Sequence, residues 1–208
     1  SKLTKITFHL SFTICSAYVV SRRKAMLVPI FMMIIIIPMN FNPGIIPVFQ
    51  NVVSLGINNT MWALVLPQMI NAFNTIILRN AFEAVPVDLE EAASIDGATQ
   101  IKILFMVMLP LVIPTLMVVL LYYAVEVWNM WFDAMLYIKD KGLYPLQLVL
   151  KQILIEADEA ATGGSDATVM SETVQYAVMV VATIPILLVY PFLQKYFVKG
   201  MTVGAVKG

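Results

Sequence analysis

Charge is what this chain has least of. Only 12% of its 208 residues are Asp, Glu, Lys or Arg, whereas a soluble domain carries about a quarter. Hydrophobic residues make up 60% and mean hydropathy is +0.85, so the composition implies an integral membrane protein. The formal net charge of +0 and the lack of a basic groove-forming run give nothing for a nucleic acid to bind. One cysteine, Cys15, excludes an internal disulfide and reads as packing in an apolar run. The single histidine, His9, cannot build a metal cluster with it. No Gly-x-x-x-x-Gly-Lys-[Ser/Thr] segment is present, so the chain does not cradle ATP phosphates. No serine has an arguable His partner. An enzyme is not expected, and neither is a cofactor.

What is present is five apolar runs, roughly 6–20, 25–39, 61–78, 109–127 and 174–197. A membrane-crossing helix needs about 20 apolar residues, so the first two are short. Between the third and fourth lies the acidic, small-residue segment Glu91-Ala92-Ala93-Ser94-Ile95-Asp96-Gly97-Ala98. Pro86 ends whatever helix precedes it. Asp88 and Glu91 have the spacing of a capping box, with Asp88 as the cap. Ala92 and Ala93 expose almost no side chain, and Gly97 suits the left-handed residue that closes a helix. Ile101, Leu104, Phe105 and Met108 then repeat with helical spacing. The segment predicts an exposed helical elbow, about 80–110, that leaves the membrane and returns to it.

Glu91-Ala92-Ala93, Gly97, Val107 and Leu109-Pro110 resemble the signature loop of ATP-binding-cassette importer permeases, with Val107 where isoleucine is usual. Leu89-Glu90-Glu91, Asp96-Gly97-Ala98, Trp128-Asn129-x-Trp131-Phe132 and the tail from Gly200 to Gly208 resemble its carbohydrate-uptake branch. The resemblance implies an all-α polytopic bundle of the type I (MetI-like) permease fold, a single domain over 1–208. It implies a multi-pass subunit of the bacterial cytoplasmic membrane that passes sugars or oligosaccharides. An ATPase dimer would dock on Asp88, Glu91, Ala92, Ala93, Asp96, Gly97 and Ala98. The other partners implied are a second permease subunit forming a heterodimer, an extracytoplasmic sugar-binding protein, and membrane lipid. Family members usually have one more span before these, so the start looks truncated relative to them. A cytoplasmic, glycine-rich tail from Gly200 to Gly208 is expected to touch the ATPase.

Placing the elbow inside puts 8 of the 13 Lys and Arg inside, including Arg22-Arg23-Lys24, and 5 outside. This agrees with the positive-inside rule, and the uncharged segment from Asn40 to Thr60 suits the outer side. The longest outer connection is 133–173. Leu146, Val149, Leu150, Ile153 and Leu154 in it predict an amphipathic surface helix. Its acidic continuation from Glu156 to Ser171, broken by Gly163-Gly164-Ser165, is expected to bury little and to move. It is either a solvated linker or a contact for the external binding protein.

Polar residues inside the runs mark a pathway or helix-helix glue. Gln68, Asn71 and Asn74 fall three apart, on one broad face. Tyr122, Glu126, Asn129 and Asp133 share another, flanked by Trp128 and Trp131. Amides and aromatics suit sugar hydroxyls and ring faces, whereas interhelical hydrogen bonds and an interfacial aromatic belt are the alternatives. Glu126 either stands at a solvated outer mouth or carries a proton or ligand contact. A proton-coupled secondary transporter using Glu126, or the same ATP-driven machine with a non-sugar cargo, therefore remains open.

Overall fold

A computed structural model describes residues 2–22, 26–41, 43–161 and 165–205, and among these no strand occurs. The first apolar run forms α1, Lys2–Val20. The second forms α2, Val28–Asn40, with Pro29 in its first turn, where a missing N–H costs nothing. At 13 residues, or about 20 Å, α2 is shorter than the roughly 30 Å hydrocarbon core. The uncharged stretch after it is not all loop, for Ile45–Ser54 folds into α3 behind Gly44, whose φ is +84°.

The third and fourth runs are broken rather than straight. Met61–Val65 (α4) runs into a 3-10 turn at Leu66–Gln68, and Ala72–Glu83 (α5) leaves at 55° to that pair. Pro67 removes a backbone donor at the break. The new helix starts where the Asn71 side chain accepts from the Asn74 N–H at 3.1 Å, a side-chain N-cap.

The elbow helix α6 spans Val87–Ile95 and is followed by α7, Gln100–Ile103. A π-helical turn over Leu104–Met108 and the short α8, Leu109–Leu111, come next. The chain then bends by 88° into α9, Ile113–Trp128. Pro110 and Pro114 explain both irregularities, since each leaves the carbonyl four residues back without its donor. The π turn also rotates the expected stripe. Leu104 and Met108 are buried with Ile103 and Val112, whereas Ile101 and Phe105 are exposed.

Trp131–Tyr137 (α10), Leu146–Ala160 (α11) and Ser165–Ala205 (α12) complete the chain. The acidic stretch expected to move is mostly helical: α11 continues to Ala160 and α12 begins at Ser165, while 162–164 lie outside the described residues. Asp158 ties the two helices, accepting from Ser171 Oγ at 3.3 Å and Gln175 Nε2 at 3.0 Å. In α11 the inward residues are Leu148 and Leu150, while Leu146, Val149 and Ile153 of the expected stripe stay exposed. By length and composition two described helices can cross a membrane, in α1 and at Val169–Leu188, and four can if each bent pair counts as one span.

Two apolar cores sit at opposite ends. One joins the C-terminal half of α1 to α5, the π turn and the start of α9 through Ala17, Leu78, Phe82 and Ile103. The other joins α3, α4, α10 and α11 to the end of α9 through Val52, Leu64, Val127 and Leu148.

Candidate functional site

The elbow is built around its stop. Gly97 has φ +79°, its N–H reaches Ser94 O at 3.1 Å, and the Ala98 N–H reaches Ala93 O at 3.0 Å. That pair of bonds is a Schellman closure, which satisfies the last carbonyls of α6. Ala93 and Ala98 pack against the core that contains Leu78, Phe82 and Ile103, supplying the apolar contact that accompanies this motif. Ala93 is therefore partly turned inward, while Ala92, Asp88, Glu91, Asp96 and Gly97 are exposed. The capping box does not form: Pro86 occupies the cap position with no side-chain cap bond. The helix begins two residues earlier than the Asp88 reading places it, because the Pro86 ring presets the backbone for entry. Asp88 and Glu90 instead lie in the first turn, where negative charge complements the helix dipole.

A charged brace holds the elbow to the bundle. Arg22, just past α1, forms an ion pair with Glu90, and its guanidinium lies over the Tyr18 ring at 4.0 Å. Burial pushes the Arg22 pKa below its ordinary value and the Tyr18 phenol pulls it back, yet arginine stays a cation. Arg79 donates to Val20 O at 3.2 Å and pairs with Glu83 at 2.6 Å. Glu83, Glu90, Glu91 and Arg22 line a hollow of about 450 Å³ beneath α6. The brace puts the basic end of α1 and the elbow on the same side; Arg23 and Lys24 lie outside the described residues.

At the other end a cleft of about 680 Å³ opens between α2 and the break before α5. Gln68, Asn71 and Glu126 line it together. Asn74 does not join them, since it is 2% exposed; the break at 69–71 separates residues that a continuous helix would keep on one face. Tyr122 is exposed beside Phe73, their ring centroids 5.8 Å apart. Asn129 is the C-cap of α9, so the expected four-residue face ends there, and Asp133 belongs to α10. Asp133 still returns to the mouth, accepting from Gln68 Nε2 at 3.2 Å. Trp128 carries Lys2 over its ring at 4.2 Å, and Trp131 faces Lys151 at 5.6 Å; neither lines the cleft.

Behind the cleft runs a polar ladder not foreseen from the residues. Lys5, His9 and Thr13 stand on one face of α1 and are each 1% exposed or less. Lys5 Nζ is 3.9 Å from Glu126 Oε1. His9 Nε2 lies 3.1 Å from Val65 O, next to the helix break. Thr13 Oγ1 and Tyr123 Oη are 2.6 Å apart. Their spacing of four, which puts them on one face of α1, was the available signal. Asn59 is a second such residue: at φ +56°, its Oδ1 accepts from the Lys139 and Asp140 N–H groups at 2.8 and 3.0 Å.

Comparison with known proteins agrees with this architecture. Residues 10–203 match the family described as "Binding-protein-dependent transport system inner membrane component". Protein LplC of Bacillus subtilis is 45% identical over 96% of this chain and 68% of its own length. The polygalacturonan/rhamnogalacturonan transport system permease protein YtcP of the same organism is 44% identical over 92% and 68%. A crystal structure of a bacterial ABC transporter involved in the import of the acidic polysaccharide alginate superposes with a TM-score of 0.82. Its matching chain is 34% identical, over 94% of this chain and 71% of that one. With its fold, its elbow and two thirds or more of each relative covered, the chain belongs to the binding-protein-dependent transport system inner membrane component family, as an ABC importer permease of the carbohydrate-uptake branch.

Proposed function

We propose that this chain is one permease subunit of an ATP-driven sugar or oligosaccharide importer in a bacterial cytoplasmic membrane. It pairs with a second, non-identical permease and receives its cargo from an extracytoplasmic binding protein. An ATPase dimer docks on α6 and supplies the hydrolysis that this chain lacks. The names of YtcP and of the alginate transporter support a saccharide cargo. The pairing of Glu126 with Lys5 argues against a freely exchanging proton carrier there. The tail from Gly200 is read as a further ATPase contact, with 206–208 outside the described residues.

The observation that carries the docking reading is the outer corner of α6. Leu89, Ala92 and Ile95 are exposed on it, Ile95 at 86%, on a helix fixed at both ends by the Arg22–Glu90 pair and the Gly97 closure. A short rigid helix offering small and aliphatic side chains suits a cleft on a partner, because packed interfaces do not absorb added volume cheaply. Co-purification of the ATPase with Ala92→Trp and Ile95→Asp tests this. Both are expected to lose most of the bound ATPase while membrane insertion stays normal. Ala93→Trp is expected to lower the permease's own stability as well, since that residue packs inward. Full recovery of the ATPase with both outer variants would overturn docking at this corner.

A further inference from the structure

The charge around the cleft bears on which sugars can pass it. Among the described residues lining it, Glu126 is the one with an ionisable side chain. Its compensating ammonium is out of reach: Lys5 is 1% exposed, lies 3.9 Å behind the carboxylate, and has Met130 Sδ at 3.7 Å. A solute in the cleft meets the carboxylate and not the lysine. Asp133, bonded to the lining amide of Gln68, adds a second negative charge at the same mouth. The rest of the lining is the amides of Gln68 and Asn71 and apolar groups such as Ile34 and Phe73.

We propose that Glu126, held in place by Lys5, makes this cleft a path for uncharged, hydroxyl-rich sugar chains and a barrier to uronate chains. The proposal rests on the reading of the chain as a sugar permease and names its substrate class. An ionised carboxylate accepts strong hydrogen bonds from sugar hydroxyls. The same group repels a second carboxylate brought beside it in a half-buried cleft, and Lys5, set farther back, offsets only part of that repulsion because Coulomb energy falls with distance. An anionic sugar has no cation to turn to unless Lys5 abandons its buried site. Lys5 is a positioning residue and Glu126 the specificity-determining one. The alginate transporter and YtcP are named for acidic polymers, so the proposal gives this chain a charge preference opposite to those names.

The field can be read without knowing the cargo. Ile70 lines the cleft and is 46% exposed, so Ile70→Cys in a Cys15→Ser background reports on it. Membranes of cells expressing the full transporter are treated with trimethylammonium-ethyl or sulfonato-ethyl methanethiosulfonate. Each rate is divided by that reagent's rate with a free thiol in solution. The normalised cation-to-anion ratio is expected to be on the order of tenfold, and to fall toward one with Glu126→Gln. A ratio near one with Glu126 present overturns the charge proposal and leaves the path reading standing; no reaction with either reagent overturns both. Should Glu126→Gln fail to assemble, the same ratio is followed as salt is raised in the Glu126 protein. A field effect shrinks, and a constant ratio overturns the proposal.

Discussion

Tyr123 shows how a single polar atom is carried through an apolar bundle. It is fully buried, yet its hydroxyl meets Thr13 at 2.6 Å. Leaving such a group without a partner in hydrocarbon costs more than the bond itself returns. Tyr123→Phe is expected to destabilise the permease by about 1 kcal/mol, read from unfolding in detergent. Adding Thr13→Val should cost less than the sum of the two single changes, because the first loss has already orphaned the threonine hydroxyl. Strict additivity would mean that the two hydroxyls do not depend on each other. The composition could not disclose this pairing, since Thr13 and Tyr123 are 110 residues apart.

Element by element, prolines and caps decide the outcome. Pro67, Pro110 and Pro114 bend two runs that hydropathy alone reads as straight, and the break at Pro67 brings Gln68 and Asn71 to the cleft. At the elbow the decisive residue is Gly97. A Cβ added there meets nothing within 4 Å, so any cost of substitution is backbone strain at φ +79° and not a clash. Gly97→Val should cost about 1–2 kcal/mol, and Gly97→Asn distinctly less, since asparagine tolerates the left-handed region. Amide hydrogen exchange over 92–98 measures it, with faster exchange expected for valine. Equal protection in the two variants would show that the closure does not hold the elbow. This prediction concerns α6 alone and stands whether or not the ATPase binds there.

For the whole molecule, the two ends carry opposite assignments. The Arg22–Glu90 brace marks one end; Lys5, Glu126 and the Asn59 clamp on Lys139 and Asp140 mark the other. Because α1 separates Lys5, near its start, from Arg22, just past its end, the brace and the cleft mouth are expected to face opposite sides of the membrane. With Cys15→Ser as background, Ser94→Cys should label only from the cytoplasmic side and Lys141→Cys only from outside, using an impermeant thiol reagent on intact cells and inverted vesicles. Labelling of both from one side would overturn the orientation.

Membrane class, all-α architecture and the elbow with its stop at Gly97 were determined by the sequence alone. Each depends on local properties: the transfer of apolar side chains out of water, and the one residue type that accepts a left-handed backbone cheaply. The family resemblance was legible for the same reason, since Glu91-Ala92-Ala93, Gly97 and Leu109-Pro110 form one contiguous pattern. Where the cap of α6 falls, which of Ala92 and Ala93 faces out, and that Asn74 leaves the pathway for the core were decided only by the tertiary structure. So were the partners of Lys5, His9 and Glu126. These depend on what distant helices present to a side chain, and in an apolar medium a polar group settles wherever a partner is held, whatever the periodicity of its own helix would suggest.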